Sequence, residues 1–398
     1  MMDIPDLNTL LDAGSPYFTH LSGAVFIVIL VLLFLTLLST AGYFPVLLSI
    51  TSYTPIVARL KAKGVPFIEP EQLRELMQSG SVQDCMSRLK SYGYLIDVPI
   101  ECTPDQAEEE LLLAWYEEVT LLRSQAPRDA WLFFDAVLFF QEIAKVKRII
   151  RLIHMGRAGA IAATPGLWPE GCSPDLAAKL GNVRSMSEGV RLLQETRYGE
   201  PLLSSLALYE KEKSVFYLDH ALDCMGFSEL KSQMSMVQTY LASPYRDFIA
   251  VLIDIQNIRA LIRVKHSGWN PDAIPPCLVD GGQELPMWRL VQMNEMMSVP
   301  DLLRQLSGTG YDPVLSPVLR TYPSTDTMLR MDMALDQYLL DTISRLGLTY
   351  YHIGGPLLWY LVAKEFELRN IRIILSGLYD GFSADKITPM LITVPEET

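Results

Sequence analysis

Nothing in the 398 residues builds a metal or redox ligand set in sequence. The five cysteines, Cys85, Cys102, Cys172, Cys224 and Cys277, are scattered, and no CxxC pair occurs, so reduced thiols are the plain reading. The five histidines, His20, His154, His220, His266 and His352, are equally dispersed, with no HExxH among them. No GxxxxGK(S/T) loop exists to cradle a nucleotide phosphate, and no GxSxG elbow or kinase motif set is present. Gly308-Thr309-Gly310 lacks the following xxG and reads as a turn. Positive charge is also short: 33 Lys and Arg against 46 Asp and Glu leave a net charge of -13. Without a basic block, or bases interleaved with aromatics, nucleic acid is excluded as a partner. Neither cofactor, metal nor small-molecule substrate is expected, and no catalytic residue can be assigned. Alternating runs are short while helical periodicity dominates, so the chain reads as all-α.

One charge-free stretch stands out against this background. From Leu21 to Leu38 only Ser22, Gly23 and Thr36 interrupt an apolar run, and no charged residue occurs between Asp12 and Arg59. About eighteen helical residues span roughly 27 Å, close to a hydrocarbon core of about 30 Å. One N-terminal transmembrane helix, with flank, is therefore predicted over residues 21–50, after an acidic arm at 1–20 that carries Asp3, Asp6 and Asp12. A cleaved signal peptide would need a basic n-region, which is missing here. Arg59, Lys61 and Lys63 follow the span, so the positive-inside rule puts the soluble body on the cytoplasmic face and the N-terminus outside.

The soluble part repeats itself. Glu142-Ile143-Ala144-Lys145-Val146-Lys147-Arg148-Ile149-Ile150, Asp254-Ile255-Gln256-Asn257-Ile258-Arg259-Ala260-Leu261-Ile262 and Glu367-Leu368-Arg369-Asn370-Ile371-Arg372-Ile373-Ile374-Leu375 share one pattern. An acid, an aliphatic, an Asn or Lys, a β-branched aliphatic, a base and two aliphatics recur at near-equal spacing, as expected of one helical unit used three times. At 100° per residue the acid falls inside the apolar arc and the base at its edge. A carboxylate carried into a packed face needs a partner, since leaving it alone costs several kcal/mol. Glu142, Asp254 and Glu367 are thus expected to bond neighbouring main-chain or basic groups, with a proton or ion relay as the functional alternative.

A second marker precedes each copy: Leu89 with Tyr94, Leu193 with Tyr198, and Leu306 with Tyr311, a Leu five positions before a Tyr. The interval from Tyr to acid is shortest in the first copy. Segments rich in Gly and Pro at 156–174 and 267–286 read as linkers, and 315–325 as a loop. The resulting units are 51–158, 159–268 and 269–398. The acid-rich helix opening at Pro104-Asp105 is expected to turn Glu108, Glu109, Glu110, Glu117 and Glu118 to solvent.

Several stretches together resemble the C subunit of the archaeal A-type (V/A-type) ATP synthases, a family related to the d subunit of vacuolar ATPases. They are Tyr53-Thr54-Pro55-Ile56-Val57-Ala58-Arg59-Leu60-Lys61-Ala62, Asp254 to Arg263, Asp280-Gly281-Gly282, and a closing set of Gly355-Pro356, Tyr360, Lys364-Glu365, Glu367, Asn370-Ile371-Arg372, Gly377 and Gly381. The resemblance covers roughly Ser52 to Leu391. It implies three similar helical domains around a pseudo-threefold axis, forming a funnel on the cytoplasmic face of the membrane. Such a protein is noncatalytic; it couples the central-stalk subunits to the membrane rotor ring, in ATP synthesis with H+ or Na+ transport. Members of that family usually start near the tyrosine segment. The preceding fifty or so residues here imply either an added anchor in the lipid bilayer or an upstream start, and the charge-free run with its following bases favours the anchor. A membrane-tethered helical scaffold unrelated to ATP synthesis is the competing reading.

Overall fold

The computed structural model describes residues 16–64, 67–97, 102–164, 166, 168–169, 172–236, 243–269, 278–322, 324 and 326–393. Among these every regular element is helical, as the periodicity requires. The acidic arm predicted at 1–20 lies mostly outside the described residues.

Residues 1–52 and 53–398 form two compact units. The first contains α1 (Pro16–Thr40) and the start of α2 (Tyr43–Lys63), separated by a turn at Ala41–Gly42 in which Gly42 has φ 70°. The predicted transmembrane helix, with its flank over 21–50, is not supported: among the described residues no helix is long and apolar enough to cross a membrane. The exposure is nonetheless unusual. Every residue from Val25 to Leu37 is exposed, Phe26 at 63% and Leu37 at 65%.

The second unit is built from three runs of helices. The first run is α3 (Pro70–Met77), α4 (Val82–Ser91), α5 (Pro104–Gln125) and α6 (Arg128–His154), with α7 (Gly159–Ala163) after it. The second is α8 (Pro174–Gly181), α9 (Met186–Leu192), α10 (Gly199–Glu212), α11 (Phe216–Ser235) and α12 (Ser243–Ser267). The third is α13 (Met287–Asn294), α14 (Val299–Arg304), α15 (Asp312–Leu319), α16 (Thr327–Thr349) and α17 (Gly355–Tyr379), followed by α18 (Ala384–Ile387). Among the described residues the first run has no counterpart of α10 and α15, in keeping with its shorter Tyr-to-acid interval.

Each run begins alike. Ser81, Ser185 and Ser298 cap α4, α9 and α14 by accepting the main-chain N–H of the acid three residues on, Asp84, Glu188 or Asp301. Each cap stands at the same distance before Tyr94, Tyr198 or Tyr311. Such caps stabilise a helix by about 1 kcal/mol each.

The six long helices close a circuit of packing. α5 packs on α6, α6 on α11, α11 on α12, α12 on α16, α16 on α17, and α17 back on α5. Two details differ from the sequence expectation. Residues 315–325 are not all loop, because α15 runs through Pro317 to Leu319; burying Leu315 and Val318 outweighs the one main-chain bond that Pro317 forfeits. The linker at 156–174 likewise holds the short α7, pinned by the fully buried Ile161.

Candidate functional site

The repeated stretches lie on α6, α12 and α17, and each sends its base across to the next long helix of the circuit. Lys147 of α6 pairs with Asp223 of α11. Arg259 of α12 pairs with Asp336 and Asp332 of α16. Arg372 of α17 reaches Glu108 of α5 at 3.1 Å. Asp336 is the most enclosed of these acids, its side chain 6% exposed between Arg259 and Arg369. At least one ion pair thus spans each of the three joins between runs.

The acids at the head of the pattern are all buried and all bonded. Glu142 accepts Lys145 Nζ at 2.8 Å, and Glu367 accepts Lys364 Nζ at 2.8 Å. Asp254 is 0% exposed and accepts the main-chain N–H of Glu284 at 2.8 Å and the Tyr311 hydroxyl at 3.1 Å. Burial raises its pKa, opposed by those donors. Gly282 is needed beside it, since a Cβ there would stand 1.8 Å from Asp254 Oδ1. Burial likewise pushes the Glu367 carboxyl up and the Lys364 amine down.

The tyrosine of one run meets the acid region of the run before it. Tyr311 donates to Asp254, and Tyr198 stacks on Phe139, one turn ahead of Glu142. Tyr94 accepts Lys364 Nζ at 3.1 Å, and the same ammonium holds Glu367. The two sequence markers, separated by dozens of residues in each copy, are brought together across the joins.

Asn257 and Asn370 make identical clamps. The Asn257 side chain donates to Val279 O at 2.8 Å and accepts Val279 N–H at 3.0 Å; Asn370 does the same with Ile392, at 2.6 and 3.0 Å. Each partner lies at the same interval downstream, and each clamp fixes a returning segment on its helix. The first copy has Lys145 at this position, bonded to Glu142 instead.

A cavity of about 320 Å³ lies where α6, α11, α12, α16 and α17 face one another. Phe140, Leu252 and Glu365, which occupy the same place in the three copies, all line it. Glu365 is pushed up to about 7 by burial, against a bond from Gln141 and the charge of Arg372. A second cavity, of about 370 Å³, lies between α5 and α6. Glu142 lines that one, whereas Asp254 and Glu367 line neither, so the three acids do not converge on one open pocket. No cluster of His, Cys, Asp or Glu able to hold a metal occurs among the described residues.

The acids on the receiving helices are the residues that sequence reasoning missed. Glu108 and Glu118 of α5, read as solvent-facing, serve as internal partners: Glu118 takes Lys63 and the Tyr360 hydroxyl, and Glu109 takes the Gly166 N–H. Asp223 and Asp336 carried no pattern of their own. The signal available was the Ser-x-x-acid cap at fixed distance before each tyrosine, which fixes the start of each run.

A circuit of long helices, tied by ion pairs at the joins between its three runs, defines an all-helical protein built from one repeated unit. The chain belongs to the ATP synthase (C/AC39) subunit family, whose model matches residues 56–390. It is 25% identical over 352 residues to the A-type ATP synthase C subunit of Methanocaldococcus jannaschii, covering 87% of this chain and 88% of that protein. The C subunit of Methanosphaera stadtmanae is 27% identical over 81% of this chain and 83% of its own length, and that of Haloferax volcanii 26% over 85% and 96%. As a member of this family the chain is a structural subunit and not an enzyme.

Proposed function

We propose that the chain is the rotor subunit of an A-type rotary ATP synthase that couples the central stalk to the membrane ring during ATP synthesis and ion transport. The closed circuit of long helices, with an ion pair at each join, is the observation that carries this reading. A part that passes torque between two neighbours must resist shear, and a closed circuit offers no free helix edge along which one run could slide. Three units, 51–158, 159–268 and 269–398, around a pseudo-threefold axis are the arrangement we infer, with Glu142, Lys145, Lys147, Asp254, Asn257, Arg259, Glu367, Asn370 and Arg372 as its recurring structural residues. The equivalent placement of Phe140, Leu252 and Glu365 around one cavity supports that axis.

The expected setting is the cytoplasmic face of the cell membrane. Lipid contact through α1 is part of the proposal, supported by its continuous exposed apolar surface from Val25 to Leu37. Flotation of the full chain with liposomes tests this part; replacing Leu30 and Leu33 by Glu should abolish it, and flotation that persists in that variant removes lipid contact from the proposal. Affinity purification from detergent-solubilised membranes tests the main reading. Ring and central-stalk subunits should co-purify with the chain, whereas an intact complex of ring and stalk that lacks it would leave the scaffold reading in its place.

A further inference from the structure

The cavity of about 320 Å³ enclosed by α6, α11, α12, α16 and α17 has a wall of uneven chemistry. Five phenylalanines, Phe133, Phe140, Phe227, Phe248 and Phe366, together with aliphatic side chains make most of it apolar. Arg369 and Arg372 are its cations, and each already has a carboxylate: Arg369 pairs with Asp336, and Arg372 with Glu108. Glu365 is the one acid that lines it among the described residues.

Glu365 has no ion-pair partner of its own. Its Oε1 accepts Gln141 Nε2 at 3.2 Å, while Oε2 stands open, with no hydrogen-bond partner among the described residues. A neutral amide does not offset a carboxylate's charge in an apolar wall, so the ionised form is unfavourable there until a cation arrives. Burial accordingly raises this carboxyl to about 7, against the bond from Gln141 and the charge of Arg372. The occupant that gains most carries a positively charged N–H donor on an apolar body, because a charge-assisted bond to Oε2 is strong and aromatic rings attract cations. The volume lies at the low end of the roughly 300–1,000 Å³ of ligand pockets, which limits the occupant to a small organic molecule.

We propose that this cavity binds a small hydrophobic amine, its ammonium held by Glu365 Oε2 and its apolar body packed against the phenylalanines. An alcohol of the same shape lacks the charge that Glu365 requires. An acid sets its own charge against Glu365, while both guanidiniums are already engaged. The inference concerns the cavity alone and does not depend on the coupling role.

The test is isothermal titration calorimetry of the full chain with phenylbutylamine, phenylbutanol and phenylbutanoic acid, each with its phenyl and head group at opposite ends. At pH 8 the amine should bind saturably and at least about tenfold tighter than the alcohol, and the acid should not bind measurably. At pH 5 Glu365 is protonated while the amine stays charged, so amine affinity should fall at least about tenfold. Among the described residues α6, α11, α12 and α16 bring no titratable group to the wall, and Arg369 and Arg372 keep their charge across this range. Glu365→Gln should abolish the preference for amine over alcohol. Leu252→Phe, which fills the cavity from α12, should weaken amine and alcohol alike by about tenfold. Lack of saturable amine binding, an alcohol or acid bound as tightly, or the amine preference retained in Glu365→Gln would each overturn the proposal. Should Glu365→Gln fail to fold, Leu252→Phe decides, and amine affinity unchanged in that variant overturns the proposal as well.

Discussion

The first copy of the repeated stretch and the other two solve one packing problem differently. In the second and third, an asparagine amide satisfies both main-chain groups of a returning residue, so an apolar segment closes over the helix. In the first, a lysine occupies that position and turns to its own helix's Glu142, and a cavity lined also by Gly166 and Trp168 lies beside it. The recurrence of the acid and base is thus compatible with different ways of covering the face between them. What stays the same in all three is the ion pair to the next helix of the circuit.

That comparison can be broken first at the ion pairs. Asp336→Ala should cost about 3 kcal/mol in urea denaturation, because it removes the most enclosed carboxylate, leaving Arg259 with Asp332 alone and Arg369 without this partner. Glu108→Ala, at the more exposed join, should cost about 1 kcal/mol or less. Equal losses at the two sites would mean that burial does not set the strength of the joins.

The clamps come next. Asn257→Ala and Asn370→Ala should each destabilise by about 2–4 kcal/mol, since each strands one buried N–H and one buried C=O. Lys145→Ala, read by the same thermal or urea unfolding, should cost under about 1 kcal/mol.

The central cavity sharpens the contrast through pH. Where the first two copies place Phe140 and Leu252, the third places Glu365, whose folded-state pKa of about 7 exceeds its ordinary 4.5 because burial disfavours the charge. The folded state therefore holds this proton more tightly than the unfolded chain does. Its contribution to stability is full below about pH 4.5 and is lost as pH rises through about 7. Urea midpoints at pH 5 and pH 8 should differ less in Glu365→Gln than in the unaltered chain. The smallest effects belong to the caps: Ser81→Ala, Ser185→Ala and Ser298→Ala should each lower stability by about 1 kcal/mol.

Local pattern carried the helical class, the three stretches and the tyrosine markers, since each is written in neighbouring residues. What it did not carry are the partners. Asp223, Asp336 and Glu108 meet their bases only because the helices pack, and their own surroundings in sequence do not repeat. Glu118 illustrates the same limit: an acid among acids reads as solvated until Lys63 and Tyr360 arrive from distant segments. At 315–325 two prolines suggested a loop, yet burial of Leu315 and Val318 holds one turn after another of α15. The apolar run from Leu21 was legible as helix, and the turn at Gly42, whose positive φ a glycine permits, falls in its predicted flank; the membrane crossing read from it is not supported among the described residues.

Reconstitution of the membrane complex into vesicles, with and without this chain, bears most directly on the proposed coupling role. With the chain present, ATP hydrolysis should drive ion uptake into the vesicles; without it, hydrolysis should continue while uptake is lost, and adding the chain back should restore it. Ion uptake that persists at full rate in its absence would contradict a role in transmitting rotation.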